Sequence, residues 1–366
     1  MTIGTEDLSR SAGDVGISLT SPQPLLPDLA AHLDDYLAGP IGELDLPGYQ
    51  LNLWTQPDQY RTATAAFTEN VTGQVSPVPG VTLTESRTSA GTRSYTVRRD
   101  DLEQRPGAWA VSINGTTIDL YVNGAGMAPR FAVRIIREAM LRTYENAHGI
   151  VFHAAGVDRA GSAVMICGPR SAGKTSTLTA LLRALGEDGA LLSNDRMIVH
   201  GDGRVVAVPL PVPLARGTID AFPELRAAIP TPARTGLPDT FATAAKTTLA
   251  ARPFAAALGS SLTAGSHLQT LLAPQFSDTA QPPRIRRLTE AETLALLTEE
   301  CFTPTDEFWQ PWLVERTTSD TALTRHAALT CEHLAATVPC RQLTFGVRGQ
   351  ITDLHRALAD LTGARP

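Results

Sequence analysis

The chain has 366 residues, 43% of them hydrophobic and 19% charged, with a net charge of −6. That length suits two or three domains with ample core material, and the composition excludes a disordered chain. No basic run carries interleaved aromatics, no apolar stretch reaches the length of a membrane span, and no charged head precedes an apolar run at the N-terminus. The expectation is therefore a cytoplasmic protein without a nucleic-acid or membrane partner.

Residues 1–27 are rich in Ser, Gly, Thr and Pro and read as a flexible arm. A short helix is expected over 28–37. From 44 to 122 the pattern changes to short strands, over 49–54, 95–98, 109–113 and 117–122. Asn114-Gly115 between the last two marks a tight hairpin. Residues 28–125 thus read as a β-rich module without a cluster of titratable groups. A helix over 129–144 follows, with Phe131, Val133, Ile135, Ile136, Met140 and Leu141 as its apolar positions.

Two apolar runs, 149–158 and 163–167, then flank the turn Arg159-Ala-Gly-Ser162 and predict a hairpin. Antiparallel pairing about Ala160-Gly161 puts His153 opposite Gly168. Gly168-Pro-Arg-Ser-Ala-Gly-Lys-Thr175 fits G-x-x-x-x-G-K-[ST] without a substitution. In that pattern Gly168 and Gly173 let the backbone bend around a phosphate chain, with N–H groups of Arg170, Ser171, Ala172 and Ser176 turned toward it. Lys174 supplies a positive charge to the terminal phosphates, and the Thr175 hydroxyl suits Mg²⁺. The flanks agree, because a strand precedes the loop and Leu178, Leu181, Leu182 and Leu185 recur behind it at helical spacing. The helix N-terminus then faces the phosphates.

Ala190-Leu-Leu-Ser-Asn194-Asp195 is a short strand ending in two polar residues. Ligands of α/β sheets sit at the carboxyl ends of strands, so Asp195 is the expected carboxylate on the Mg²⁺ side. A further hairpin is expected over 197–200 and 204–213. Residues 221–248 read as a loop with short helical pieces, followed by a strand over 268–273, helices over 289–301 and 321–337, a strand over 340–345 and a helix over 350–361. Of 31 basic side chains only Lys174 and Lys246 are lysine. An ammonium is a compact charge that a guanidinium does not replace, so Lys246 is a candidate clamp on a mobile segment. The four cysteines show no metal-ligand spacing and read as reduced thiols.

The run His153-Ala-Ala-Gly-Val-Asp-Arg-Ala-Gly-Ser-Ala-Val-Met-Ile-Cys-Gly-Pro-Arg-Ser-Ala-Gly-Lys-Thr175, with Leu191-Leu-Ser-Asn-Asp195 behind it, resembles the catalytic core of the HPr kinase/phosphorylase superfamily. More closely, it is similar to the HPr-kinase-related proteins found beside bacterial natural-product genes. The resemblance is strong over 153–213, looser over 268–297 and 338–345, and absent before about 126. It implies an α/β fold over 126–366, the P-loop core shared by HPr kinase and phosphoenolpyruvate carboxykinase, behind an N-terminal β-rich module. It also implies ATP and Mg²⁺ as cofactors and γ-phosphate transfer to a hydroxyl of a peptide, protein or small metabolite.

Carried over by position, Lys174 would neutralise the transferred phosphate, while Thr175 and Asp195 would hold the metal. Asn194 stands where the family has the aspartate that acts as general base. An amide takes no proton, so His153 or Asp195 serves as base, or positioning suffices, or activity is lost. The family's own C-terminal signature is missing, which removes HPr as the expected substrate. Two other readings stay open at this point, a nucleotide-dependent accessory protein and a carboxykinase-like enzyme. The oligomeric state is open as well.

Overall fold

The computed structural model describes residues 5–22, 25–33, 45–78, 81–97, 108–208, 210–239, 243–306, 310–349 and 351–362. The chain forms two units and passes between them more than once. Met1–Ala147 and Pro304–Asp320 make the first unit, and His148–Thr303 and Thr321–Pro366 make the second. Both are mixed α/β. No helix among the described residues is long and apolar enough to cross a membrane.

The first unit contains β1 (Thr5–Ala12), β2 (Val15–Pro22), α1 (Leu26–Leu33), β3 (Tyr49–Trp54), α2 (Pro57–Phe67), β4 (Val71–Val78), β5 (Val81–Arg87), β6 (Arg93–Val97), β7 (Trp109–Asn114), β8 (Thr117–Val122) and α3 (Ala128–Asn146). Its strands join in the order β1-β2-β3-β8-β7-β6-β5-β4. Period-two alternation selects the inner face: Val15, Ile17 and Leu19 on β2, Leu51 and Leu53 on β3, and Ile118, Leu120 and Val122 on β8 are all buried. The β7–β8 hairpin turns at Gly115, φ +58°, as Asn114-Gly115 predicts.

Three expectations are corrected here. Residues 1–27 are not a loose arm throughout, because β1 and β2 pair from Thr5↔Pro22 to Ala12↔Val15. Ser and Thr occupy the outward positions of β2 and mask its alternation with Val15, Ile17 and Leu19. The helix expected over 28–37 begins at Leu26, and residues 34–37 lie outside the described ones. The boundary at 125/126 is also displaced, since α3 belongs to the first unit. Its Tyr144 hydroxyl accepts from the Asp14 amide at 2.7 Å, and its Thr143 hydroxyl bonds Tyr49 at 2.9 Å.

Residues 304–320 return to the same unit through buried polar groups. The Tyr95 hydroxyl donates to the Trp312 carbonyl at 2.8 Å, with the two rings edge to face at 5.0 Å. The Arg93 guanidinium donates to the Leu313 carbonyl, and the Trp312 amide donates to Glu138. Arg142 and Arg316 both reach the buried Glu145 carboxylate, at 2.5 and 2.9 Å. Removing one member of such a network leaves the others buried without partners, which is where the cost lies.

The second unit begins with β9 (Ile150–Phe152), β10 (Ala154–Arg159), β11 (Ser162–Cys167), α4 (Lys174–Leu185), β12 (Gly189–Ser193), β13 (Arg196–Val199), β14 (Arg204–Val208) and β15 (Val212–Leu214). It continues with α5 (Arg216–Ala221), α6 (Pro223–Ala228), α7 (Thr231–Thr235), β16 (Thr247–Leu249), α8 (Ala251–Ala257), β17 (Ser261–Leu262) and β18 (Gly265–Ser277). It closes with β19 (Arg284–Arg287), α9 (Glu290–Glu299), α10 (Asp320–Thr337), β20 (Cys340–Gly346) and α11 (Ile351–Thr362).

The large sheet runs β17-β12-β10-β11-β18-β14-β13-β9, with β20 on β18 and β19 on β20. Strand β11 is covered on both faces, which explains its unbroken apolar run. Val164 and Ile166 join the core formed with α4, α8 and α11, including Leu178, Leu181, Leu182 and Leu185. Ala163, Met165 and Cys167 face the opposite core, formed with α9 and α10. The four cysteines are free thiols.

Tyr95 gives a direct test of the returning segment. Tyr95→Phe leaves the Trp312 carbonyl buried without its donor, and the expected loss is about 1–3 kcal/mol, read as a lower melting temperature. Burial also pushes the Tyr95 phenol up to about 12. The neutral phenol is the form the fold favours, so its contribution is complete below pH 10 and is lost as pH rises toward 12. Alkaline melting curves of Tyr95→Phe should therefore fall less steeply than those of the wild type across that window.

Candidate functional site

Strand β10 lies between β11 and β12 and runs antiparallel to both. It follows that β11 and β12 run the same way and end at one edge of the sheet, the edge where β10 begins. Three stretches meet there: the loop after β11, the Asn194-Asp195 pair after β12, and His153 just ahead of β10. The β10–β11 register ends at Ala154↔Cys167, so the next opposed pair is His153 and Gly168, as the hairpin predicts. The 149–158 run is nevertheless not one strand. It bends at His153, and β9 pairs with β13 instead of continuing along β11.

The loop has the backbone that its glycines permit. Gly173 lies at φ +101° and Ser171 at φ +67°, the second an uncommon conformation for a residue with a side chain. A Cβ on Gly173 would stand 3.1 Å from both the Phe276 and Phe345 rings, so space as well as torsion requires glycine there. Helix α4 starts at Lys174 with no side-chain cap, which leaves its first N–H groups without a side-chain acceptor at the loop.

Lys174 is buried and folds back over the loop, donating to the Gly168 carbonyl at 2.5 Å and the Pro169 carbonyl at 3.2 Å. Burial lowers its pKa, and the negative charges of Glu300 and Asp195 oppose that shift. Ser176 bonds Thr218 of α5 at 3.2 Å. Arg170 and Ser171 are exposed, while Ala172 and Thr175 are half-buried.

His153 is fixed from several sides. Its Nδ1 lies 2.7 Å from the buried Glu300 carboxylate, and its Nε2 lies 3.6 Å from Asp195. The ring stacks on Phe302 at 5.1 Å and 8°. The Arg196 guanidinium sits over that same Phe302 ring and pairs with Asp195. Glu300 is the residue that sequence reasoning misses. It reads as the tail of a helix over 289–301, but α9 stops at Glu299 and the next residues pair with β9. The His153 amide donates to the Glu300 carbonyl at 2.8 Å, and the Phe302 amide to the Val151 carbonyl at 2.8 Å. No local motif announces a partner 147 positions away along the chain.

Asn194 is buried and holds backbone at both ends of its amide. Its Oδ1 accepts from the Leu210 amide at 3.3 Å, and its Nδ2 donates to the Pro211 carbonyl at 3.4 Å. Lys246 comes immediately before β16, which pairs with β15 in a separate two-stranded sheet. Its side chain reaches solvent, yet desolvation still lowers its pKa, assisted by the positive charge of Arg170 and opposed by Asp195. The Lys246 charge is felt at Lys174 as well. Lys246 therefore lies within electrostatic reach of the loop.

Among the described residues, no three or more His, Cys, Asp or Glu side chains group to hold a metal ion. A lone carboxylate with a hydroxyl, Asp195 and Thr175, is the donor set of Mg²⁺ ions that complete their shell with water and phosphate oxygens. No protein-family model and no curated protein matches the chain.

The Asn194 geometry makes its own prediction. A carboxylate at this position would lose the donor to Pro211 and turn an oxygen toward that carbonyl. Asn194→Asp is expected to cost about 1–3 kcal/mol, checked by thermal unfolding at neutral pH. Unchanged stability would mean that the amide contacts are dispensable and that the position is free to carry a base.

Proposed function

We propose that the second unit is an ATP- and Mg²⁺-dependent phosphotransferase acting on a hydroxyl of a peptide, protein or small metabolite, with the P-loop core that the sequence resemblance implies. One observation carries the reading: β10 gathers the Gly168–Thr175 loop, Asp195 and His153 at a single sheet edge, and Lys246 faces them electrostatically. When bound, ATP with its metal would supply the γ-phosphoryl group.

The residues divide the remaining work. Loop N–H groups and the start of α4 favour phosphate oxygens, and Lys174 exchanges two carbonyl partners for a charged one. Thr175 and Asp195 would hold Mg²⁺. Asn194 keeps the 210–211 backbone in place and takes no proton. His153 has Nδ1 committed to Glu300, which leaves Nε2 to receive the proton of an acceptor hydroxyl. Lys246 adds a second cation at the phosphates. A second reading, nucleotide binding without an acceptor, is favoured by the same engaged amide at Asn194. Labelled ATP and Mg²⁺ offered with candidate hydroxyl acceptors separate the two, because only the first yields a labelled acceptor.

Lys174→Ala should weaken Mg²⁺–ATP binding by about tenfold or more in calorimetry, with an unchanged circular dichroism spectrum. Wild-type affinity in that variant overturns the phosphate-loop reading. Lys246→Ala and Lys246→Arg should both lower turnover strongly while leaving nucleotide affinity nearly unchanged. If the arginine variant turns over at the normal rate, Lys246 is not the clamp.

A further inference from the structure

Strand β19 is an edge strand of unusual composition. Its four residues, Arg284, Ile285, Arg286 and Arg287, are all exposed, and among the described residues it hydrogen-bonds to β20 alone. Arg286 is engaged by Glu292 and Gln342. Arg284, Arg287 and the exposed Arg341 of β20 have no acidic partner among the described residues. The register sets Arg287 directly opposite Arg341, a like-charge pair that destabilises a ladder unless an anion lies beside it.

The outward backbone groups can be assigned. The Leu288 amide donates inward to the Cys340 carbonyl, so by alternation Arg286 also faces β20 while Ile285 and Arg287 turn their N–H and C=O groups to the open edge.

We propose that this edge docks an extended acidic peptide, which adds as a further strand and sets its carboxylates against Arg287 and Arg341, which share one face of the sheet. A second copy of the chain is disfavoured, since self-pairing would bring arginine against arginine. The edge displays no exposed aromatic ring on which bases would stack, which disfavours nucleic acid.

The position links this surface to the proposed kinase site, and that link rests on the function proposed above. Strands β11, β18 and β20 run parallel, so they end at the same edge. Antiparallel β19 begins there, with Arg284 opposite Thr344, one residue from the Phe345 ring beside Gly173. A peptide strand on β19 lies four strand spacings from β11, about 19 Å. The acceptor residue should therefore lie about six residues beyond the acidic segment.

The test is fluorescence anisotropy of the full chain, without nucleotide, with a labelled peptide alternating Glu and Val. The wild type should bind it and reject the Lys–Val counterpart. Ile285→Pro removes an outward N–H without touching the β20 ladder, so affinity should fall at least tenfold at an unchanged melting temperature. Arg287→Glu should lose the acidic peptide and accept the basic one, a second variant that does not depend on proline being tolerated. Lys174→Ala should dock the peptide normally. Absence of binding to the wild type, equal binding to Ile285→Pro, or equally tight binding of a single-stranded oligonucleotide of matched charge would overturn the proposal. Docking without phosphotransfer would sink only the kinase reading, and phosphotransfer without docking only this one.

Discussion

The candidate site depends on the direction of one strand. β10 runs antiparallel to β11 and β12, and this opposition alone places the start of β10 beside the ends of its neighbours. Were β10 parallel to them, His153 would lie at the far edge, a strand length from the loop. The reversal is set by the short Ala160-Gly161 turn, where Ala160 at φ +51° and Gly161 at φ +82° reverse the chain tightly. Local turn chemistry thus fixes a long-range juxtaposition, and the polar residues at the edge inherit their positions from apolar pairing behind them.

The second constraint is the bond between His153 and Glu300. A buried carboxylate is costly unless it is partnered, and here the imidazole is its partner at 2.7 Å. Backbone pairing between β9 and the residues after α9 holds Glu300 against the ring, and the Phe302 stack restricts its rotation. An imidazole restrained at one nitrogen presents the other with a defined direction, which is the arrangement a proton acceptor at a sheet edge needs.

The legible parts of this chain share a physical cause. The β11–loop–α4 unit, the β7–β8 hairpin and the His153–Gly168 opposition follow from short-range periodicity and turn residues, so adjacent sequence suffices. What could not be read depends on distant partners. Ser and Thr at outward positions hide the alternation of β2. The assignment of α3 to the first unit depends on Tyr49 and the Asp14 amide. Glu300 and the return of 304–320 depend on contacts across more than a hundred residues, and nothing in the local pattern shows the Asn194 amide holding the 210–211 backbone.

The charge balance at the edge supports the anion reading from another direction. Arg170, Lys174, Arg196 and Lys246 bring four formal positive charges, while Asp195 and Glu300 bring two negative ones, and Glu300 is already committed to His153. Like cations held close together repel, and the lowered pKa values of Lys174 and Lys246 carry part of that repulsion in addition to burial. Such crowding is unfavourable in the free protein, and under the proposed function a polyanion at the loop would relieve it. The chain's two ammonium groups, where arginine supplies every other basic side chain, lie within electrostatic reach of each other. Under the proposed function, a compact charge fits between phosphate oxygens where a planar guanidinium is too wide, which would give the two lysines a shared chemical reason.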